Sequence, residues 1–250
     1  MKALVTGASS GIGRDIARLL GKRGYDLILV ARREQRLLEL KKELGQNVRI
    51  ICLDLSEEAS CFSLYEQVKH ENIDILVNSA GFGLFGMFDE TDLFRELEML
   101  NVNIRALHIL TKLFLKDFKR NNAGYILNIA SSAAFLPGPL LSSYYASKAY
   151  VLRLTEAVYE ELRREKSRVC VCALCPGPVA TEFDKTANVK FSIKGLKSID
   201  VAKAAVDGMF RRKLVIVPGT RMKLARLFKK FVPEKQLLRI VYHLQKRKEG

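Results

Sequence analysis

The chain lacks several features that mark particular classes of protein. It contains no tryptophan and only six prolines in 250 residues, so a proline-rich low-complexity region is excluded. No apolar run approaches the roughly 20 residues that a membrane-spanning helix needs. The first six residues lead directly into a short apolar run, which leaves no room for a signal peptide. We therefore expect a cytoplasmic protein.

Cysteine and histidine are too few and too unevenly spaced to indicate a disulfide framework or a metal site. The five cysteines are an odd number in a sizeable chain, which argues against paired disulfides. Cys170, Cys172 and Cys175 lie in a β-type run, whose alternation puts the first two on one face and the third on the other. The three histidines show no ligand spacing. We expect buried thiols and no metal.

Acidic residues are scarce only near the carboxyl terminus. The net charge is +15, and residues 211–250, with 13 basic and 2 acidic residues, contribute +11 of it. The excess of positive charge is therefore a property of the tail. This tail has no recognition motif and few aromatic residues, so we expect no nucleic-acid partner.

What the sequence does contain is a regular alternation of β-type apolar runs with amphipathic helical stretches. The predicted strands are 2–6, 26–31, 48–53, 74–78, 124–130, 168–174 and 214–217. The predicted helices are 12–23, 33–45, 57–70, 92–120, 143–165 and 200–211. The alternation predicts an α/β fold of βαβ units, with a parallel sheet buried on both faces. Residues 176–199 are expected to form a lid over the site.

A glycine-rich loop follows the first predicted strand and opens the first helix. Gly7, Gly11 and Gly13 stand in a G-x-x-x-G-x-G spacing. The first glycine permits a tight turn, the second lets the backbone approach a pyrophosphate, and the third lets helix and strand pack closely. The free N–H groups at the start of the helix then face the anion. The position of this loop predicts a dinucleotide-binding site rather than an ordinary turn.

The residues after the second strand indicate which dinucleotide binds. An NAD-specific site usually has an acidic residue here for the ribose 2′-hydroxyl, but Ala31 occupies that place. Arg32 and Arg33 follow, and guanidinium groups suit a 2′-phosphate. As merely solvated charges at a helix start they would be disfavoured by the helix dipole. We therefore predict NADP(H) over NAD(H).

Tyr144 and Lys148 lie four residues apart within a predicted helix. This spacing puts both side chains on one helical face, one turn apart. A nearby ammonium favours the phenolate and so lowers the pKa of a tyrosine towards the working range. The same spacing also occurs in ordinary contacts between an exposed aromatic residue and a lysine. The interpretation of Tyr144 and Lys148 as a proton-donating pair therefore depends on the other motifs.

Together the glycine-rich loop and the Tyr-x-x-x-Lys pair resemble the classical short-chain dehydrogenase/reductase family over residues 1–220. The resemblance implies a Rossmann-type doubly wound parallel sheet of about seven strands in three layers. Residues 221–250 would be a basic amphipathic helical extension of the same domain. A homodimer or homotetramer is also expected.

Four further segments are similar to motifs of that family. Residues 54–55 (Asp-Leu) resemble its adenine-contacting pair, and 78–81 (Asn-Ser-Ala-Gly) its Asn-Asn-Ala-Gly. Residues 176–181 (Pro-Gly-Pro-Val-Ala-Thr) resemble the segment that holds the nicotinamide. Residues 101–104 (Asn-Val-Asn-Ile) contain its active-site Asn, and the register of the following helix selects Asn103. The implied cofactor-binding residues are Gly7, Ser9, Ser10, Gly11, Ile12, Gly13, Arg32, Arg33, Asp54, Leu55, Asn78, Ala80, Gly81, Tyr144, Lys148, Pro176, Gly177, Val179 and Thr181.

The active-site serine is one of two neighbours. The family's Ser usually stands thirteen residues before its Tyr, and counting back from Tyr144 gives Ser131. Ser132 would need a one-residue deletion and stays the alternative. Tyr145 lies thirteen residues after Ser132, but the residue four positions beyond it is Ala149. The implied catalytic residues are Ser131, Tyr144, Lys148 and Asn103.

The resemblance implies an oxidoreductase that interconverts a carbonyl and a secondary alcohol by hydride transfer with NADP(H). Ser131 would position the carbonyl oxygen, and Tyr144 would deliver the proton. Lys148 would bind the nicotinamide ribose and lower the pKa of Tyr144, while Asn103 would hold a water that links Lys148 to solvent. A catalytically silent NADP(H)-sensing or membrane-associated binding protein is the rival hypothesis, and the intact catalytic residues argue against it.

Apolar residues beside the motifs predict either a substrate pocket or ordinary core. They are Phe82, Leu84, Phe85, Phe88, Phe135, Leu136, Leu140 and Leu141. The layout of the tail resembles a branch of the family that is related to fatty-acyl and steroid ketoreductases. The resemblance makes a lipophilic substrate, such as a 3-oxoacyl or steroid-like ketone, the expected one.

The tail itself has three interpretations. Residues 237, 240, 241 and 244 are apolar and share one helical face, while basic residues cover much of the rest. The helix could lie on an anionic membrane surface. It could instead form an oligomer contact or cover the substrate pocket, or it could be a plain solvated helix.

Overall fold

The computed structural model describes residues 1–45, 47–183, 187, 195–228 and 232–246, without the side chains of residues 221, 225, 226 and 228. Its strands are β1 (Lys2–Thr6), β2 (Asp26–Ala31), β3 (Val48–Cys52), β4 (Ile75–Asn78), β5 (Tyr125–Ile129), β6 (Cys170–Leu174), β7 (Val179–Ala180), β8 (Leu196–Lys197) and β9 (Val215–Ile216). Seven of them form one parallel sheet in the order β3-β2-β1-β4-β5-β6-β9. The predicted seven-stranded parallel sheet is thereby confirmed. The other two form a short separate ladder.

Helices cover both faces of this sheet. They are α1 (Gly11–Lys22), α2 (Glu34–Leu44), α3 (Glu58–Val68), α4 (Leu93–Leu100), α5 (Leu107–Arg120), α6 (Ser142–Arg164), α7 (Ser198–Phe210), α8 (Thr220–Phe228) and α9 (Glu234–Lys246). No helix in these described parts of the chain is both long enough and apolar enough to cross a membrane.

Alternate residues of the central strands enter two separate cores. Val5 of β1 packs on the side that α1, α2 and α7 cover, whereas Leu4 packs on the side of α3, α5 and α6. Both side chains are fully buried. Strands that are apolar on both faces must be covered on both faces, because either face exposed to water would lose the burial of its apolar surface. The result is the expected three-layer arrangement.

The topology creates a crevice at the carboxyl edge of the sheet. The strand order reverses beside β1, with β2 and β3 on one side and β4, β5 and β6 on the other. Connections that leave β1 and β4 therefore diverge, and ligands of open α/β sheets bind in the space between them. The glycine-rich loop follows β1, the arginines follow β2, and Ser131 follows β5, so all three reach this edge.

One predicted helix is interrupted. In place of a continuous helix over 92–120, a π-helical turn, Asn101–Ala106, joins α4 to α5. Such turns insert an extra residue into the helical repeat and often lie at functional sites. This turn carries Asn103. Part of the predicted lid, residues 184–186 and 188–194, lies outside the described residues.

Candidate active site

A cavity of about 600 Å³ lies at the carboxyl edge of the sheet, within the size range of small-molecule sites. Its wall includes nearly all residues that the sequence predicts to bind the cofactor. They are Gly7, Ser9, Ser10, Gly11, Ile12, Gly13, Arg32, Arg33, Asp54, Leu55, Ala80, Gly81, Tyr144, Lys148, Pro176, Gly177, Val179 and Thr181. Ser131 also lines it, but Asn78 and Asn103 do not.

The glycine-rich loop is built for close approach. Gly7 has a positive φ of +64°, and a Cβ there would lie 2.7 Å from the backbone nitrogen of Ala80. No other residue type fits this turn without strain. Helix α1 begins at Gly11, and the Ser10 side chain makes no capping hydrogen bond to it. An uncapped helix start beside a glycine turn fits the pyrophosphate of a dinucleotide.

Arg33 lies across the glycine-rich loop. Its guanidinium donates to Ser9 Oγ at 3.1 Å and to Ser10 Oγ at 2.9 Å, and it pairs with Glu182 at 2.7 Å. Arg36 contacts the same carboxylate. Hydrogen bonds from Arg36 and Arg33 lower the pKa of Glu182 to about 2. Two guanidinium groups thus converge on one carboxylate, and two hydroxyls lie beside one of them; guanidinium and hydroxyl groups are donors that suit a phosphate.

Arg32 has different partners. It donates to Glu98 at 2.8 Å and to Asp54 at 3.3 Å. Burial raises the pKa of Asp54, but hydrogen bonds from Ser56 and the charge of Arg32 outweigh it, so the net shift is downward. Asp54 therefore stays an acceptor. Of the two predicted arginines, Arg33 is the one that the structure places at the loop hydroxyls.

Helix α6 carries Tyr144 and Lys148 into the cavity. The Lys148 ammonium lies 5.8 Å from the centre of the Tyr144 ring and donates to the carbonyl oxygen of Ile129 at 2.9 Å. Lys148 is only 6% exposed, and this burial lowers its pKa to about 8, against a smaller opposing effect of Cys175. The lysine can therefore gain or lose a proton near neutral pH.

The pKa of Tyr144 shifts in the direction opposite to the one expected from the sequence. Burial raises it, and a hydrogen bond with Ser131 opposes the rise without overcoming it. Lys148 is not among the groups that shift it. Burial wins because taking a phenolate out of water is expensive, while the ammonium lies beside the ring and is bound to Ile129.

The structure distinguishes the two candidate serines. Ser131 hydrogen-bonds Tyr144, and its Oγ also accepts from the backbone N–H of Ala133 at 3.1 Å. Ser132 begins a short 3₁₀ turn and lines the cavity, and its own backbone N–H donates to the Pro176 carbonyl at 2.7 Å. The contact with Tyr144 favours Ser131.

Asn103 is held behind the cavity. Its side-chain amide donates to the Phe82 carbonyl at 2.9 Å and to Ser147 Oγ at 3.1 Å, and its oxygen accepts from the Phe82 N–H at 3.1 Å. A Cβ on Gly81 would lie 2.7 Å from the Asn103 oxygen and 3.3 Å from the Lys148 ammonium nitrogen. Asn103 thus ties the π-helical turn to the loop after β4 and to α6, next to Lys148.

Asn78 does not take the predicted place at the cofactor. Its side chain is buried and donates to Asn128 at 2.9 Å and to Thr111 at 3.0 Å. Asn128 donates in turn to Thr155 at 3.0 Å. Alternation along β4 turns the Asn78 side chain into the interior, towards α5. The prediction that this side chain binds the cofactor is therefore corrected: it belongs to a hydrogen-bond network inside the protein.

The other end of the cavity is apolar, and half of its predicted residues line it. Those that do are Phe82, Phe135, Leu136 and Leu141, and those that do not are Leu84, Phe85, Phe88 and Leu140. Further lining residues were not predicted: Tyr145, Phe183, Met222, Val241, Leu244 and Gln245. Three of these belong to α9, so part of the tail lies against the cavity.

Comparisons with known proteins agree with this site. A family model described as short chain dehydrogenase matches residues 1–190. An uncharacterized oxidoreductase of Staphylococcus epidermidis is 34% identical over 208 residues, which are 82% of this chain and 88% of the relative. The 17-beta-hydroxysteroid dehydrogenase type 3 of Homo sapiens is 32% identical over 207 residues, 77% of this chain and 63% of the relative.

Solved structures with the same fold contain either nicotinamide dinucleotide. A short-chain dehydrogenase from Sphingobium yanoikuyae in complex with NADPH has a TM-score of 0.81 and 32% identity, covering 88% of each chain. One from Burkholderia phymatum in complex with NAD has a TM-score of 0.82 and 25% identity, covering 90% of each chain. The chain therefore belongs to the classical short-chain dehydrogenase/reductase family and is an oxidoreductase of the Rossmann type.

Proposed function

We propose that this protein is an NADP(H)-dependent enzyme that interconverts a lipophilic ketone and its secondary alcohol. The observation that carries the proposal is the convergence of Ser131, Tyr144 and Lys148 with the glycine-rich loop in one cavity. The cavity wall joins polar groups suited to a dinucleotide with apolar side chains, and Tyr144 packs against the apolar residues Phe82 and Phe183. The apolar walls match the lipophilic substrate that the name of the human relative indicates for that protein.

A bound nicotinamide would supply the hydride to the carbonyl carbon, and Tyr144 would give its proton to the carbonyl oxygen. Burial raises the pKa of Tyr144, so the phenol stays protonated at neutral pH and can act as a general acid in the reducing direction. The Ser131 hydroxyl would donate to the same oxygen and fix its position. The carbon gains a hydride and the oxygen a proton, which completes the alcohol.

Lys148 would hydrogen-bond the nicotinamide ribose and return a proton to Tyr144. Its pKa of about 8 supports this role, because both protonation states are populated near neutral pH. The Asn103 side chain is fully engaged by Phe82 and Ser147. We therefore propose that Asn103 supports the relay by fixing the π-helical turn beside Lys148, and that any relay water binds to its main chain.

Arg33 supports the preference for NADP(H). Its contacts with Ser9 and Ser10 bring a guanidinium and two hydroxyls together at the end of β2, where a dinucleotide of this fold presents its ribose 2′-substituent. Glu182 pairs with both Arg33 and Arg36. A 2′-phosphate that binds these arginines would have to displace the Glu182 carboxylate from them. We expect a higher kcat/KM with NADPH than with NADH.

The test is an NADPH-oxidation screen over ketones, 3-oxoacyl thioesters and aldehydes, with the Tyr144→Phe variant beside the wild type. We expect this variant to lose turnover by at least about 100-fold while binding NADPH nearly as well, as measured by fluorescence titration. Tyr150→Phe is the matched control, because Tyr150 lies on the same helix, is exposed, and its hydroxyl hydrogen-bonds His108 on the exposed side of the molecule.

Two outcomes would decide against the proposal. Turnover retained in Tyr144→Phe would remove Tyr144 from the chemistry. NADPH binding by the wild type without turnover of any carbonyl compound would instead favour the silent sensing protein.

A further inference from the structure

The apolar end of the cavity contains a polar pair that the proposed chemistry does not use. Val241 and Gln245 are the two buried side chains of α9, and both line the cavity. Gln245 is only 2% exposed. Its amide nitrogen donates to the hydroxyl of Tyr145, which also lines the cavity. A glutamine buried on a tail helix in this way needs a reason, because burying an amide among apolar groups is unfavourable.

The hydrogen bonds of this pair are incomplete. The Gln245 side-chain oxygen is buried and has no hydrogen-bond partner within the part of the chain that the structure describes. The Tyr145 hydroxyl accepts from Gln245 and keeps its own proton to donate. Because that hydroxyl can donate or accept, either orientation of the amide leaves one polar end of Gln245 without a partner. Buried polar atoms without partners are rare in folded proteins and call for an explanation such as a missing ligand.

The pair is held in place next to the proposed proton donor. The rings of Tyr144 and Tyr145 meet edge to face, with their centres 6.1 Å apart. A Cβ on Gly138 would overlap the Tyr145 ring, so the backbone of Gly138 packs directly against that ring. Burial raises the pKa of Tyr145, although the hydrogen bond from Gln245 opposes the rise, and the hydroxyl therefore keeps its proton. A rigid donor and a rigid acceptor thus stand one ring away from Tyr144.

We propose that Tyr145 and Gln245 form a specificity-determining subsite for a hydroxyl group on the substrate, which makes the preferred substrate a lipophilic ketone that also carries one hydroxyl group remote from the carbonyl. That hydroxyl would accept from the Tyr145 O–H and donate to the Gln245 oxygen, so both polar groups gain their missing partners. The inference rests on the proposed function, since the ketone is the group that Tyr144 would reduce. A site built to bond a substrate hydroxyl discriminates strongly against the analogue that lacks it, because its polar groups are then left unpaired.

The test compares matched ketones, each with and without a hydroxyl on the ring system remote from the carbonyl. For the wild type we expect kcat/KM to favour the hydroxyketone by at least about tenfold. In Gln245→Met, which keeps the length of the side chain but removes the amide, this ratio falls towards one. Tyr145→Phe lowers it as well, and the loss appears mainly in KM, because the subsite binds the substrate without touching the reacting carbon.

Controls separate this subsite from a general effect of the tail. Gln236→Met changes an exposed glutamine on the same helix and should keep the wild-type ratio. Thermal unfolding of each variant shows whether it folds, and Tyr145→Phe serves as the second variant if Gln245→Met does not. A wild-type ratio near one, or a wild-type preference that persists in both Gln245→Met and Tyr145→Phe, overturns the proposal.

A binding measurement keeps the subsite testable apart from turnover. Calorimetric titration of the two matched ketones into the wild type and Gln245→Met, each saturated with NADP⁺, compares affinities without chemistry, because the oxidised cofactor has no hydride to give. Tighter binding of the hydroxyketone to the wild type alone supports the subsite even if no ketone of the set is reduced, in which case the proposed reductase activity fails while the subsite stands. Equal affinities in the wild type contradict the subsite even if both ketones are reduced.

Discussion

At the scale of single residues, the buried charge of Lys148 in the active site lowers the stability of the folded protein. Its pKa falls from an ordinary 10.5 to about 8 because the ammonium is buried. Below pH 8 the native protein carries a buried charge that the unfolded chain carries in water, which weakens folding. Between pH 8 and 10.5 the unfolded chain binds more protons than the native one, so this contribution to stability rises with pH. Above 10.5 both forms are neutral and the penalty is gone.

We therefore predict that Lys148→Met raises the free energy of unfolding at pH 7 by about 1–3 kcal/mol and removes activity. The gain comes from the lowered pKa of Lys148, since each pKa unit is worth about 1.4 kcal/mol. The lost hydrogen bond to Ile129 offsets part of it. The gain should shrink as pH rises from 8 to 10.5. Urea denaturation across this range measures it. Lys112→Met, at an exposed lysine, is the control and should show no such trend. A variant that is less stable than the wild type at pH 7 would contradict the prediction.

The residues at the cofactor end were predictable because their chemistry is tied to local spacing. Glycines at a strand–helix junction have few other uses, and the structure brings Gly7 and Gly11 into the cavity wall. The prediction for Asn78 was wrong because a motif fixes where a residue lies along a strand, but not which residues its side chain contacts across the sheet. Glu182 and Gln245 carry no spacing signal, since the residues to which they hydrogen-bond, Arg33 and Tyr145, lie 149 and 100 positions away in the chain.

At the scale of elements, the π-helical turn is the feature that the sequence pattern missed. Apolar periodicity continues through residues 92–120, and one extra residue in the repeat leaves it almost unchanged. The turn is stabilised by tertiary contacts, namely the three hydrogen bonds of Asn103 with Phe82 and Ser147. The interruption therefore follows from packing against a distant loop, which helical propensity does not encode.

We predict that Asn103→Leu lowers the free energy of unfolding by about 2–4 kcal/mol, because it leaves the backbone N–H and C=O of buried Phe82 without partners. Asn101→Leu tests the neighbouring asparagine of the same turn, which lies less deeply, and should cost less than about 1 kcal/mol. Chemical denaturation of both variants measures the difference. Equal losses would mean that the turn does not depend on the contacts of Asn103.

At the scale of the whole molecule, the sheet topology was predictable and the docking of the tail was not. Alternating strand and helix patterns leave few arrangements other than a parallel sheet with covered faces. The tail pattern indicated an apolar face at 237, 240, 241 and 244, but α9 buries Val241 and Gln245 against the cavity. Leu238 and Ile240 are 37% and 50% exposed and do not line the cavity, so covering the pocket leaves an outward apolar surface.

This outward surface of α9, formed by Leu238 and Ile240, lies within residues 211–250, the segment that carries 13 basic and 2 acidic residues. Apolar side chains among basic ones are the combination that binds anionic lipid surfaces. We therefore predict that the full chain sediments with vesicles containing phosphatidylserine and stays in solution with phosphatidylcholine vesicles. The binding should weaken as salt rises, because screening shortens the reach of the charges.

Point variants test this better than truncation, since removing α9 would also open the substrate cavity. Leu238→Glu with Ile240→Glu places two acidic residues on the outward surface and should abolish sedimentation. Leu38→Glu with Phe62→Glu makes the same change of net charge at exposed apolar residues of α2 and α3 and should leave sedimentation nearly intact. If both double variants lose binding equally, net charge alone drives it and α9 has no special part. If neither does, α9 only covers the pocket, and its outward apolar residues do not bind lipid.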